Sequence, residues 1–297
     1  MLERRTDLAM EARELLEQEG HSLPGIESHE EEAEGFPLTT VRVVSPEGAQ
    51  ALGKPEGVYH TLDLAGLSRR EEKAFPRAVN ALAGLLRPLL PPEREGVLVV
   101  GLGNRAITPD AVGPKAADRT FVTRHLIDMA PEHFGDFRPV SALAAGVLGT
   151  TGIESGEIVQ AVCAKTGPKA VIAIDALAAR RVERLCATVQ LCDSGIAPGS
   201  GVGNHRFALN RESLGVPVIA LGVPTVVDGA TLCADLLEEA GQPSDPQALS
   251  GAPGATLIVT PRDIDQRVED MAKVIGYAVS LALQPGLELE DLEALVE

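Results

Sequence analysis

Val97-Leu98-Val99-Val100-Gly101-Leu102-Gly103-Asn104-Arg105-Ala106-Ile107-Thr108-Pro109-Asp110-Ala111-Val112-Gly113-Pro114 sets the architecture of this chain. Its first four residues are apolar and mostly β-branched, the pattern of a buried strand, and the segment from Lys115 to Leu126 reads as a helix. A strand, a glycine turn and a helix in succession make the βα unit of an α/β sheet. Sheets of that kind bind ligands beyond the carboxyl ends of their strands. Asp110 falls there, and Asp175 closes a second strong apolar run, Ala170-Val171-Ile172-Ala173-Ile174. Carboxylates from two strands are therefore expected to meet in one crevice. Gly101-x-Gly103-x-x-Ala106 has the outline of a dinucleotide fingerprint, but Pro109 falls where the pyrophosphate-binding helix should already be running. Proline in a helix interior costs about 3 kcal/mol, so no nucleotide cofactor is expected.

Outward from that unit, residues 39–44, 58–64, 139–143, 187–191, 216–221 and 256–259 read as strands. Residues 8–20, 77–90, 152–165 and 231–240 read as helices, with Thr151 and Glu154 at the spacing of a capping box. Beyond Pro261, Ile264, Val268, Met271, Ile275 and Val279 form one long apolar stripe, which is core. Strand, helix and strand in sequence imply right-handed parallel crossovers. The expected fold is α/β: a mainly parallel sheet with helices on both faces, plus a small antiparallel N-terminal β element. His21 to Gly35 is acidic, carries Glu30-Glu31-Glu32 and lacks periodicity, so it reads as a linker or surface loop. The glycine-rich run 193–204 reads as a loop, either a plain connection or a cover over the crevice that binds substrate backbone.

The composition excludes several function classes. With 297 residues, 44% of them hydrophobic, the chain can bury a full core as one large domain. A formal charge of -17 opposes direct nucleic-acid binding, which is driven by Lys and Arg on phosphates. No apolar run approaches a membrane span, and the N-terminus lacks a signal-peptide core. Cys163, Cys186, Cys192 and Cys233 show no C-x-x-C pair, which suits reduced core thiols in an intracellular protein.

Two aspartates at adjacent strand ends can hold one water, one acting as base while the other polarises a carbonyl, as in aspartic proteases. The same pair could bind a divalent metal, though a catalytic metal usually takes about three protein ligands. Taken singly, Asp110 can be a helix cap and Asp175 a strand-end acid held by amides. The histidines show no H-E-x-x-H pattern; His125 and His133 read as surface or helix-end residues, and His205 is the one candidate ligand. No G-x-S-x-G elbow is present.

Arg5-Thr6-Asp7-Leu8-Ala9, Gly101-Leu102-Gly103-Asn104, Thr108-Pro109-Asp110-Ala111, Thr123-Arg124-His125-Leu126, Phe137-Arg138-Pro139-Val140-Ser141, Ile172-Ala173-Ile174-Asp175-Ala176-Leu177-Ala178-Ala179-Arg180, Asp193-Ser194-Gly195-Ile196 and Pro224-Thr225-Val226-Val227-Asp228 together resemble the spore germination protease family. More distantly, the chain resembles hydrogenase maturation proteases of the HybD type. The first resemblance implies a homotetrameric endopeptidase of the spore-core cytoplasm. Such a protease begins the degradation of small acid-soluble spore proteins and needs no cofactor. It implies Asp110 and Asp175 as the catalytic pair. It also implies a zymogen that cuts itself at Asp7-Leu8, so that residues 1–7 are a propeptide and 8–297 one protease domain. Other readings of the same crevice are a metal-dependent maturation-type protease and a non-catalytic maturation factor that binds a partner's tail. A helix N-terminus would favour the ionised form of Asp110, and burial would leave the proton on Asp175. The piece ahead of Leu8 is short, and the region between Ala240 and Thr256 is shorter than in long members of that family.

Overall fold

The computed structural model describes residues 5–18, 20–197, 207–242, 249 and 251–296. Among the described residues nine strands form one sheet. They are β1 (Ile26–Ala33), β2 (Phe36–Val43), β3 (Gly57–Asp63), β4 (Val97–Leu102), β5 (Val140–Gly146), β6 (Ala170–Ala179), β7 (Thr188–Cys192), β8 (Val218–Asp228) and β9 (Ile258–Val259). Their order is β1-β2-β3-β7-β8-β6-β4-β5, with β9 paired to the far end of β8.

The sheet is mixed, which corrects the expectation of a mainly parallel one. β5, β4, β6 and β8 run parallel, whereas β7 lies antiparallel to β8 and to β3. The connection from β6 to β7 spans only residues 180–187, while a parallel crossover needs about a dozen residues or more, usually as a helix. The chain therefore turns back. β7 in turn captures β3, so the N-terminal β element is continuous with the main sheet.

The acidic stretch expected as a linker is also structured. Residues 26–33 form β1, paired in full with β2. It is an edge strand with Glu30, Glu31 and Glu32 exposed, so neither face alternates, and its charges discourage pairing with another chain.

Helices cover the sheet unequally. On one face, the Ala74–Leu86 and Ile264–Leu283 helices pack over Val97, Val99, Ile172, Ile174, Ile219 and Leu221. Ile264, Val268, Met271, Ile275 and Val279 are all buried there, as the stripe requires. The other face carries Leu98, Val100, Leu102, Val171, Ala173 and Val218, met by Val159 of the Ser155–Thr166 helix. The helix expected at 115–126 is two pieces, Val112–Asp118 and Arg124–Met129, parted where the Phe121 N–H donates to Ser280 Oγ at 2.9 Å. The capping box lies three residues later than expected, with Glu154 as N-cap and Glu157 as its partner. No helix among the described residues is long and apolar enough to cross a membrane.

Candidate active site

Alternation along β6 decides where Asp175 faces. Ile172 and Ile174 point to the long helix, so Val171, Ala173 and Asp175 point to the opposite face. β4 pairs with β6 only as far as Gly101 and Ile174, which makes Asp175 the first β6 residue past that pairing. Asp175 does not end its own strand, as its sequence position suggested, because β6 continues to Ala179 along β8. It is 5% exposed, and its Oδ1 accepts the Ala176 N–H at 2.9 Å.

Asp110 arrives from the glycine turn. After β4 the chain makes a short 3-10 turn, Thr108–Asp110, whose end folds back over Gly103. Gly103 has φ +106°, and a Cβ there would lie 2.1 Å from the Asp110 carbonyl oxygen and 2.8 Å from its Oδ1. Only glycine permits that approach. The Asn104 N–H donates to Asp110 Oδ2 at 2.8 Å, while Ala111, not Asp110, is the N-cap of the following helix. The small residues of this turn thus seat a carboxylate where a Rossmann turn would seat a pyrophosphate.

Asp110 and Asp175 line one cavity of about 740 Å³, within the range usual for ligand sites. Asp7 lines it too. The segment before the first helix, Ala9–Gln18, reaches the cavity at Asp7 and is held through both main-chain and side-chain contacts. The Asp7 N–H donates to the Ala178 carbonyl at 2.9 Å, and the Ala178 N–H donates to Asp7 Oδ2 at 2.8 Å. Leu8 is fully buried among Leu177, Ala179, Leu185 and Val227. Thr6 Oγ1 accepts the Leu8 N–H at 3.0 Å and donates to Glu11. Neither Thr6 nor Asp7 serves as a plain helix cap.

Several polar residues, most around the N-terminal segment and one at the opposite end of the sheet, have structural roles that sequence reasoning did not assign. Glu11 is 0% exposed; its carboxylate accepts the Arg180 and Arg181 N–H groups at 2.7 and 3.0 Å and pairs with Arg184 at 3.0 Å. Arg180, 1% exposed, binds Asp235 at 2.9 Å. Asp228 caps the Gly229–Glu239 helix and stands 3.8 Å from Arg5. Arg138 donates to the carbonyls of Pro91, Pro92, Glu95 and Leu283, which makes it a structural clamp. A buried, satisfied polar residue is written with the same letters as a solvated one, so only an internal partner list reveals it.

Tyr59, Cys192 and Ser194 form a further part of the wall, with the Ser194 hydroxyl 2.9 Å from Tyr59 Oη. Burial pushes the Tyr59 hydroxyl and the Cys192 thiol above their ordinary ranges. Cys186 is buried like Cys192, whereas Cys233 is exposed, against the expectation of four core thiols. His125 and His133 are at the surface. His205 and most of the glycine-rich run lie outside the described residues. Among the described residues no group of three or more His, Cys, Asp or Glu is arranged to hold a metal ion.

Comparison with known proteins places the chain among peptidases: residues 2–239 match the family profile described as germination protease. The chain is 42% identical to the germination protease of Caldanaerobacter subterraneus subsp. tengcongensis, over 98% of both chains. It is 41% identical to that of Clostridium perfringens over 97% of both, and 37% identical to that of Priestia megaterium over 98% of this chain and 96% of the other. The chain belongs to the germination protease family.

Proposed function

We propose that Asp110 and Asp175 share one water and hydrolyse peptide bonds, and that the chain is a zymogen which first cuts its own Asp7-Leu8 bond. The observation that carries this reading is the convergence of both carboxylates and Asp7 on one cavity. Asp110, in the turn and bonded to the Asn104 N–H, is the base that takes the proton from water. Asp175, buried on the sheet face, holds the proton that polarises the carbonyl and then reaches the leaving amine. The contact of the Asp7 carboxylate with the Ala178 N–H favours an acidic residue before the cut, and the apolar nest around Leu8 favours an aliphatic one after it.

The proteins cut during germination are then small acid-soluble spore proteins carrying such a site, met in the spore-core cytoplasm by a homotetramer with no cofactor. Incubation of the purified chain, followed by N-terminal sequencing, tests the core of this. The expected new terminus is Leu8, with conversion lost in both Asp110→Asn and Asp175→Asn and retained after exhaustive chelation. Loss of cutting on chelation, restored by a divalent cation, would instead support a metal-dependent maturation-type protease. Binding of a small spore protein without any cut would support a non-catalytic maturation factor. Light scattering of the purified chain tests the tetramer.

A further inference from the structure

Gln190 of β7 occupies the same cross-strand row as Asp175. It pairs with Gly222 of β8, and Gly222 pairs with Asp175, so the two side chains rise from the same sheet face. Gly222 carries no side chain, and Leu177, in the same buried cluster as Leu8, fills the space above it. Gln190 is 8% exposed and lines the cavity.

Its carboxamide makes two hydrogen bonds to the N-terminal segment. Oε1 accepts the Ala9 N–H at 2.7 Å, and Nε2 donates to the Asp7 carbonyl at 3.1 Å. A main-chain N–H can only donate and a carbonyl can only accept, so the segment itself fixes which way the amide points. The pair of bonds brackets Leu8, reads main chain alone, and ignores side chains.

The Asp7 carbonyl is the electrophile if the Asp7-Leu8 bond is the one cut, and the inference rests on that reading. We propose that Gln190 is a catalytic residue of this site, clamping the peptide across the residue after the cut and donating to the carbonyl oxygen where negative charge develops. Water adds to the Asp7 carbonyl carbon as one aspartate takes its proton. The C=O electron pair moves onto the oxygen that faces Gln190 Nε2. The C–N bond then breaks, and the Leu8 nitrogen takes a proton from the aspartate pair. Gln190 keeps both of its protons throughout and acts by electrostatics alone.

The test follows self-conversion of the full chain as a first-order loss at matched temperature, for the parent, Gln190→Ala and Gln190→Glu. Removal of one oxyanion donor costs about a hundredfold or more, and that is the loss expected for Gln190→Ala. The glutamate variant should lose as much near neutral pH. It should recover towards the parent as pH falls to about 4, where a protonated carboxyl again offers a donor while its other oxygen accepts the Ala9 N–H. Expressing each rate relative to the parent at the same pH removes any pH dependence common to both. The alanine variant should show no such recovery. Conversion of Gln190→Ala within threefold of the parent, or a glutamate-to-parent ratio independent of pH, overturns the role. If the alanine variant does not melt cooperatively, the glutamate ratio decides alone. A parent that never cuts at Asp7-Leu8 sinks the cut-site reading and this inference with it, whereas a parent that cuts beside an equally active Gln190→Ala sinks the inference only.

Discussion

Gly103→Ala isolates the claim that the glycine turn exists to seat Asp110. A methyl group at this position would stand 2.1 Å from the Asp110 carbonyl oxygen, where ordinary contact begins at 3.4 Å, so backbone must move by about 1.3 Å. The obstacle is main chain, and no rotamer relieves it. Backbone strain at φ +106° adds roughly 1–3 kcal/mol. A displacement of about 1 Å at a catalytic group costs on the order of a hundredfold in rate. Self-conversion should therefore slow about a hundredfold in Gly103→Ala, with a melting temperature lower by a few degrees. Gly167→Ala supplies the control: φ is +62° there, and nothing lies within 4 Å of the added carbon. It should lose roughly 1 kcal/mol and about 2 °C while converting at the parental rate. Conversion of Gly103→Ala within threefold of the parent, or an equal loss in Gly167→Ala, would refute the reasoning.

Other expectations address the segment, the thiols and pH. Leu8→Ala removes a fully buried side chain, a change that typically costs about 2–5 kcal/mol; limited proteolysis should then cut within residues 5–18 at protease concentrations that spare the parent. In the native protein at mildly alkaline pH one thiol should react quickly with a disulfide reagent, and Cys233→Ser should abolish that phase. Cys186, its thiol pushed up to about 12 by burial, and Cys192 should react only after unfolding. Burial lowers the pKa of His60, which sits 2.9 Å from Thr40 Oγ1. The unfolded chain then binds that proton more readily than the folded one, so this stability is complete above about pH 6.5 and declines as pH falls below it. The melting temperature of His60→Asn should fall less than the parent's over the same acid interval.

The βα unit at 97–118 was legible because a buried strand, a glycine turn and an acid each leave a local signature. The apolar stripe of the Ile264–Leu283 helix was legible for the same reason, since one-sided burial forces a helical period. β1 was not: with both faces in water, its glutamates carry no period, and only its pairing with β2 makes it a strand. Gln190 and Glu11 were equally hidden, because each owes its role to main-chain groups brought from more than a hundred residues away.

Residue order by itself determined most of the strands and helices with a one-sided apolar pattern, that two aspartates stand at or near the ends of neighbouring apolar runs, and which family the motifs resemble. Tertiary structure alone decided that β7 reverses direction, that Asp175 continues into a longer strand, and that Asp7 reaches the cavity beside Asp110 and Asp175. Periodicity records only which face of a segment is buried. Strand direction and the seat of a polar group depend on connections and hydrogen-bond partners distant in the chain, and these exist only once the sheet has closed.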